Sequence, residues 1–279
     1  MPDSDDVARL LLIGDIVGRP GRRIVSECLP RLRDEWKLDG VIANAENSAA
    51  GSGITEKIYN DLKSAGVDMM SLGDHAWKRK ENLIVLDQHE DCIRPYNYPS
   101  TAIGAGSYIV EFAPGLKVAY IIVLGRVFMD SVDCPYAAVD RWLESVDEDV
   151  KIKIVEFHGE ATSEKQAAGW HLDGRVSAVV GTHTHVQTAD ARVLPGGTGY
   201  ISDMGMTGPY DGVIGRNAAP VLHKLLTSMH ASFTVAEDNA HICGVLLEVE
   251  KQTGKCISIR PVDVSDSDDG QFCHDFYTA

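Results

Sequence analysis

The sequence predicts an α/β protein whose core is two β-sheets packed face to face and flanked by helices. Short apolar runs alternate with helical stretches through the first two-thirds of the chain. The last third is strand-rich with one clear helix. No internal repeat or low-complexity linker divides the 279 residues. Layers of this kind are how apolar sheet faces and helix stripes bury one another. A hydrophobic share of 44% supports one large core. A single domain over 9–264 is expected, with room for a small excursion near 76–110. Residues 1–8 and the acidic stretch 265–279 are expected as loose tails.

Arg9–Gly14 is apolar and of strand length. Arg19-Pro20-Gly21 opens a helix to about Trp36, where the missing N–H of Pro20 suits a first turn. Gly40–Ala45 reads as the second strand. Thr55–Ala65 is helical, with Thr55 as N-cap and Gly66 as stop. Asp68–Leu72 is a third strand and Lys78–Gln88 a helix. Ser107–Phe112 and Leu116–Leu124 form a hairpin around Ala113-Pro114-Gly115. Tyr136–Val146 is helical, Lys151–Phe157 a strand, Thr162–Trp170 a helix and Val176–Gly181 a strand. Beyond them Arg192–Leu194, Gly199–Ser202, Ser232–Val235, His241–Glu250 and Cys256–Pro261 are strand-like, and Ala218–Ser228 is helical. Gly208-Pro209 carries ordinary turn chemistry.

Lys plus Arg is 26 against 41 Asp plus Glu, a net charge of −15. Such a chain repels polyphosphate backbones, so long nucleic acid is not an expected partner. Apolar runs such as Val118–Leu124 are too short to span a bilayer, so no membrane is expected either. The six cysteines, Cys28, Cys92, Cys134, Cys243, Cys256 and Cys273, form no C-x-x-C pair. With no export signal read at the N-terminus, they are expected as reduced thiols in a cytoplasmic protein.

The informative pattern is what stands at the strand ends. The first strand ends at Gly14-Asp15, the second at Glu46-Asn47 and the third at Gly73-Asp74-His75. The Lys151–Phe157 strand ends at His158, and the Val176–Gly181 strand at Thr182-His183-Thr184-His185. One such residue means little, since Asp after a strand is usually a turn or cap residue. Five strand ends together differ, because the carboxyl ends of strands in an open α/β sheet line one crevice. Carboxylates and imidazoles gathered there are costly unless paired or metal-bound. Mixed oxygen and nitrogen ligands suit Mn, Fe, Zn or Co, and the lack of a cysteine argues against structural zinc. Six candidates exceed one tetrahedral ion and fit two ions about 3.5–4 Å apart. His183 and His185 would share a face if the chain stayed extended there.

These stretches resemble the calcineurin-like metallophosphoesterase superfamily, and specifically its bacterial YmdB-like branch. The matching segments are Ile13-Gly14-Asp15-Ile16-Val17-Gly18, Asn44-Ala45-Glu46-Asn47-Ser48-Ala49, Leu72-Gly73-Asp74-His75-Ala76-Trp77, Phe157-His158-Gly159-Glu160-Ala161-Thr162-Ser163-Glu164-Lys165 and Gly181-Thr182-His183-Thr184-His185-Val186-Gln187-Thr188. Thr207-Gly208-Pro209-Tyr210-Asp211-Gly212 is similar too, and the likeness runs from about Leu10 to Pro261. The resemblance implies a four-layer sandwich of two mixed sheets flanked by helices. It implies two divalent ions, Fe, Mn or Zn, one held by Asp15, Glu46 and His185 and the other by Glu46, Asp74, His158 and His183. Asn47 would hold a phosphoryl oxygen or one metal. His75 would give a proton to the leaving oxygen or stabilise its charge, and a water or hydroxide between the metals would be the nucleophile.

Two departures matter. Val17 stands where the superfamily usually carries a His ligand, a loss the YmdB-like branch shares. Asp74 stands where the family has Asn, and its extra charge is expected to tighten metal binding while attracting phosphate less. Gly159 for Ala is minor.

The resemblance implies hydrolysis of small phosphodiesters such as 2′,3′-cyclic mononucleotides. Phosphomonoester hydrolysis, or a metal-binding regulatory protein with weak hydrolase activity, are the alternatives. The branch often forms oligomers, so a homo-oligomer is a further expectation. Outside the motifs, Arg126 could bind phosphate or make an ion pair, and His171 could reach the rim or simply end a helix. Tyr210 and Asp211 could border the pocket. Trp77 could pack in the core or stack on a base.

Overall fold

The computed structural model describes residues 6–265. In chain order the elements are β1 (Val7–Ile13), β2 (Asp15–Ile16), α1 (Gly18–Trp36), β3 (Gly40–Asn44), α2 (Glu56–Ser64), β4 (Met69–Ser71), α3 (Lys80–Gln88), β5 (Cys92–Ile93), β6 (Ser107–Ala113) and β7 (Leu116–Leu124). There follow α4 (Pro135–Ser145), β8 (Ile152–His158), α5 (Thr162–Leu172), β9 (Ala178–Thr182), β10 (Arg192–Val193), β11 (Gly199–Ile201), β12 (Met206–Pro209), α6 (Ala218–Thr227), β13 (Ala240–Glu250) and β14 (Cys256–Ser265).

They form two mixed sheets. The larger runs β2-β12-β13-β1-β3-β4-β5, with β14 also on β13, and the smaller runs β10-β11-β9-β8-β7-β6. β1, β3, β4 and β5 are parallel, as are β7, β8, β9 and β11, so each sheet delivers several strand ends to one edge. The two-residue alternation of strands sorts the core. Leu10 and Leu12 of β1 face Tyr120, Ile122 and Ile154 between the sheets, whereas Leu11 and Ile13 face Ile24, Leu29 and Leu32 of α1. On the far side, Ala119, Ile121 and Val123 meet Ala138 and Trp142 of α4 and Ala168 of α5. Four layers, helix–sheet–sheet–helix, result.

The structure corrects four local expectations. β1 begins at Val7, inside the stretch 1–8 expected as a tail, because Ala8 is buried and pairs with Val249. Met206–Pro209 is a strand rather than a turn. Pro209 closes its end, and β12 lies between β2 and β13. Ser232–Val235 is not a strand, and only Val235 makes an isolated bridge, to Arg216. β14 continues to Ser265, past Pro261, while 266–279 of the expected acidic tail lie outside the described residues.

Candidate metal centre

Each predicted ligand follows a strand whose neighbours fix it. Asn44 ends β3, and its side-chain oxygen accepts from Glu46 N–H at 3.0 Å, turning the chain so that Glu46 enters the crevice. Glu46 is 1% exposed. After β4, Gly73 carries the chain between the two, since a Cβ there would collide with the His158 ring. His75 N–H then donates to Glu46 Oε2 at 3.0 Å.

His158 ends β8 and is fully buried. Its Nδ1 lies 2.9 Å from Thr182 Oγ1, which itself donates to Glu156 Oε1 at 2.8 Å. The threonine hydroxyl has given its proton to that bond, so His158 must donate from Nδ1, and Nε2 is left with a lone pair. His183 behaves alike. Its Nε2 meets Glu160 at 3.3 Å, which aims Nδ1 inward. Outer partners of this kind orient metal-binding imidazoles.

Four ligand atoms, one each from Glu46, Asp74, His158 and His183, lie within 4.8 Å of one another. His158 Nε2 is 3.1 Å from Asp74 Oδ1, 3.4 Å from Glu46 Oε1 and 3.1 Å from His183 Nδ1. Two carboxylates and two imidazole nitrogens thus converge on one point, an arrangement that a cation satisfies.

Asp15, Asn47 and His185 stand beside that group, outside it. Asp15 is fully buried and accepts from His183 N–H at 3.1 Å, while its Oδ1 has no partner. His185 Nδ1 donates to the Ile214 carbonyl at 3.1 Å, leaving Nε2 facing Asn47 Oδ1 at 3.2 Å. The amide nitrogen of Asn47 donates to His75 Nδ1 at 2.7 Å, so the His75 proton sits on Nε2. An orphaned carboxylate oxygen, an amide oxygen and an imidazole lone pair again await a donor or a cation. The sharing of one strand face by His183 and His185 does not occur. Both lie past β9 with positive φ, 100° and 64°, which turns them to different sides.

The electrostatics agree. Burial, reinforced by Asp203, raises Asp15 to about 8. Burial, then Asp74 and Asp15, raises Glu46 well above its ordinary value. Burial works to raise Asp74 also, but hydrogen bonds with His158 and His183 hold its carboxyl below the usual range. Burial works to lower His183, and Asp74 outweighs it, so His183 is raised. Burial depresses His158 and His185 to about 4 each, and lowers His75. Asp15 and Glu46 are thus buried carboxylates short of positive charge, beside His158, His185 and His75 held toward the neutral form in which an imidazole binds a divalent ion, while Asp74 and His183 already offset one another.

Sequence reasoning missed the supporting residues. Glu156 of β8 accepts from Asn44, Ser71, Tyr120 and Thr182, tying four other strands to its own under the centre. Its signal was an acid inside an otherwise apolar strand. Buried Lys165 pairs with Asp203 at 2.7 Å and donates to the Thr182 carbonyl, and Asp203 also accepts from Thr184, which pins the turn carrying both histidines. Arg22, Arg79 and Arg216 bond carbonyls of residues 48–52, the loop after Asn47. These arginines gave no motif signal.

The remaining candidates go elsewhere. His171 pairs with Asp140 beside Arg175 on the outer surface. Tyr210 donates to the Met206 carbonyl and Asp211 accepts from Asn239. Trp77 packs against the α1 side of the core and meets Tyr98 edge-on. The Arg126 side chain has no ion pair among the described residues, and its backbone N–H donates to Glu164.

The family model described as YmdB-like protein matches residues 11–262. A 2′,3′-cyclic-nucleotide 2′-phosphodiesterase from Bacillus subtilis is 43% identical over 258 residues, 92% of this chain and 97% of that protein. The crystal structure of a hypothetical protein from Thermus thermophilus superposes with a TM-score of 0.86 at 43% identity, over 92% of this chain and 99% of that one. A phosphatase from Mycoplasma pneumoniae does so with a TM-score of 0.87 at 33% identity, over 93% and 94%.

Proposed function

The chain belongs to the YmdB-like protein family, and from that membership and its site we propose a metal-dependent phosphodiesterase acting on small cyclic nucleotides. The observation that carries the reading is the convergence of Glu46, Asp74, His158 and His183 on one point, each with a ligand atom within 4.8 Å of the others. Those four residues would hold one divalent ion. Asp15, Asn47 and His185 would hold a second, with Glu46 shared. Mn, Fe or Zn suits the ligand set. Bound there, the ions would supply Lewis acidity toward the phosphoryl group and a nucleophilic water at neutral pH.

The chain's own residues do the rest. Asn47 keeps one amide hydrogen on His75 Nδ1, and thereby holds the His75 proton at Nε2. That N–H stabilises the oxygen leaving phosphorus as its charge develops. Glu46 accepts from His75 N–H, so the donor and the ligand shell are fixed to one another. The Glu156–Thr182–His158 chain holds the buried imidazole in one tautomer.

A diester is favoured over a monoester by charge. Asp15, Glu46 and Asp74 crowd the crevice of a chain already at −15, and a diester brings one negative charge where a monoester brings nearly two. The name of the Bacillus subtilis relative points to the same class. No helix among the described residues is long and apolar enough to cross a membrane. A small soluble substrate, rather than a lipid surface or long nucleic acid, fits that reading.

The test is turnover with manganese or iron on bis(p-nitrophenyl) phosphate, p-nitrophenyl phosphate and 2′,3′-cyclic AMP. We expect kcat/KM at least about tenfold higher on the bis-ester and the cyclic nucleotide than on the mono-ester, a difference of about 1.4 kcal/mol in transition-state binding. Faster turnover of the mono-ester would overturn the reading in favour of a phosphomonoesterase. No turnover of any of the three would favour a metal-binding regulatory role.

A further inference from the structure

We propose that the loop between β7 and α4, residues 125–133, is the nucleobase-recognition wall of the site, with Phe128 the ring on which the base stacks. This rests on the nucleotide reading above and adds a specificity-determining residue to it.

Four observations converge on the loop. It starts at the centre, where Leu124 is in register with His158 and Gly125 N–H donates to the His158 carbonyl at 2.9 Å. Its middle is pinned, because the buried carboxylate of Glu164 accepts from both Arg126 N–H and Val127 N–H at 3.0 Å. Its far end is pinned also. Asp133 N–H donates to the Asn97 carbonyl at 3.1 Å, and the Asn97 side chain bonds the Asp133 and Leu124 carbonyls. Between these anchors Phe128 adopts φ of 63° and is 88% exposed.

A left-handed backbone is strained for a bulky residue, and an exposed ring forgoes its burial. Phe128 carries both costs on a turn rigid enough to avoid them. Glycine would meet the backbone requirement without penalty. Retention of an aromatic ring there is explained by something that covers it.

Position says what covers it. Gly125 and Phe128 are three residues apart, a reach of at most roughly 11 Å, so the loop holds Phe128 close to the strand end that carries His158. The other end of the loop abuts Asn97, and the next residue, Tyr98, meets Trp77 edge-on with ring centroids 5.5 Å apart. Trp77 is two residues from His75, so the loop runs from one wall of the crevice to the other. A single anchored ring beside the reacting phosphate suits a stacked base, which offers a π-face whatever its sequence identity. It does not suit a protein partner, which needs a broad patch.

The experiment compares 2′,3′-cyclic AMP with ribose 2,3-cyclic phosphate, which carries the same strained diester and no base. Phe128→Gly removes the ring and relieves the backbone, so its melting temperature should equal or exceed that of the wild type. We expect it to raise KM for the nucleotide about tenfold with kcat within about twofold, while both constants for the base-free sugar stay unchanged. Phe128→Trp should restore a low KM. Equal shifts on the two substrates, or no shift on either, would overturn the proposal. A wild-type enzyme that turns over both with equal KM would sink the base wall alone. One that turns over neither would remove the nucleotide reading, and this inference with it.

Discussion

His75→Ala is expected to lower kcat on 2′,3′-cyclic AMP by about 10²–10⁴-fold, the range for loss of a positioned proton donor. Metal content should stay at the wild-type level. The reasons lie in the geometry. His75 is tethered at both ends of its function, its backbone N–H on Glu46 and its Nδ1 on Asn47, and neither bond makes it one of the four converging ligands. Its Nε2–H is 3.9 Å from Asp74 Oδ2 and free for the substrate. A leaving group that needs less help should need the imidazole less. The loss should therefore be smaller on bis(p-nitrophenyl) phosphate, whose leaving group is stable as the anion, than on the cyclic nucleotide. Steady-state kinetics and metal analysis on the same preparation check both halves. Equal losses on both substrates would contradict the donor role, and metal loss would show His75 to be part of the ligand shell.

Glu46→Gln should be more damaging to the metal. Removing an outer partner of a ligand typically costs about 10–100-fold in metal affinity, and Glu46 is proposed to touch both ions directly, so a loss of at least about 10²-fold is expected. The same change should not destabilise the chelated protein. The folded-state pKa of Glu46 is raised, mainly by burial, so at neutral pH its ionised form opposes folding. That opposition is absent below the unfolded carboxyl value and grows as pH rises past it. The amide carries no such term. With EDTA at pH 7, the Glu46→Gln melting temperature should match or exceed the wild type, and with manganese the order should reverse. A variant that melts lower under both conditions would mark Glu46 as a structural carboxylate.

The candidate centre was legible in the sequence because its geometry is set by topology. Asp15, Glu46, Asp74, His158 and His183 each terminate or directly follow a short apolar strand, and parallel strands bring their ends to one edge whatever the loops between them do. Most strands and helices were legible for the same reason, since burial on both faces forces long apolar runs such as Leu116–Leu124. What was hidden obeys other physics. β12 is masked by Gly208-Pro209, whose turn preference is overridden by pairing with β2 and β13. The orientation of His183 and His185 depends on two left-handed residues that no periodicity reports. Glu156 and the Lys165–Asp203 pair are of residue types mostly found exposed, and only the fold buries them. Their burial is tolerated only because every oxygen of Glu156 and the ammonium of Lys165 find partners.

The most direct measurement is elemental analysis of metal in the purified protein, with activity followed on the same sample through chelation and re-addition. Two first-row divalent ions per chain are expected, with activity lost as they are removed and recovered on adding manganese or iron. Full activity in a sample holding less than about one-tenth of an ion per chain after chelation would contradict that expectation.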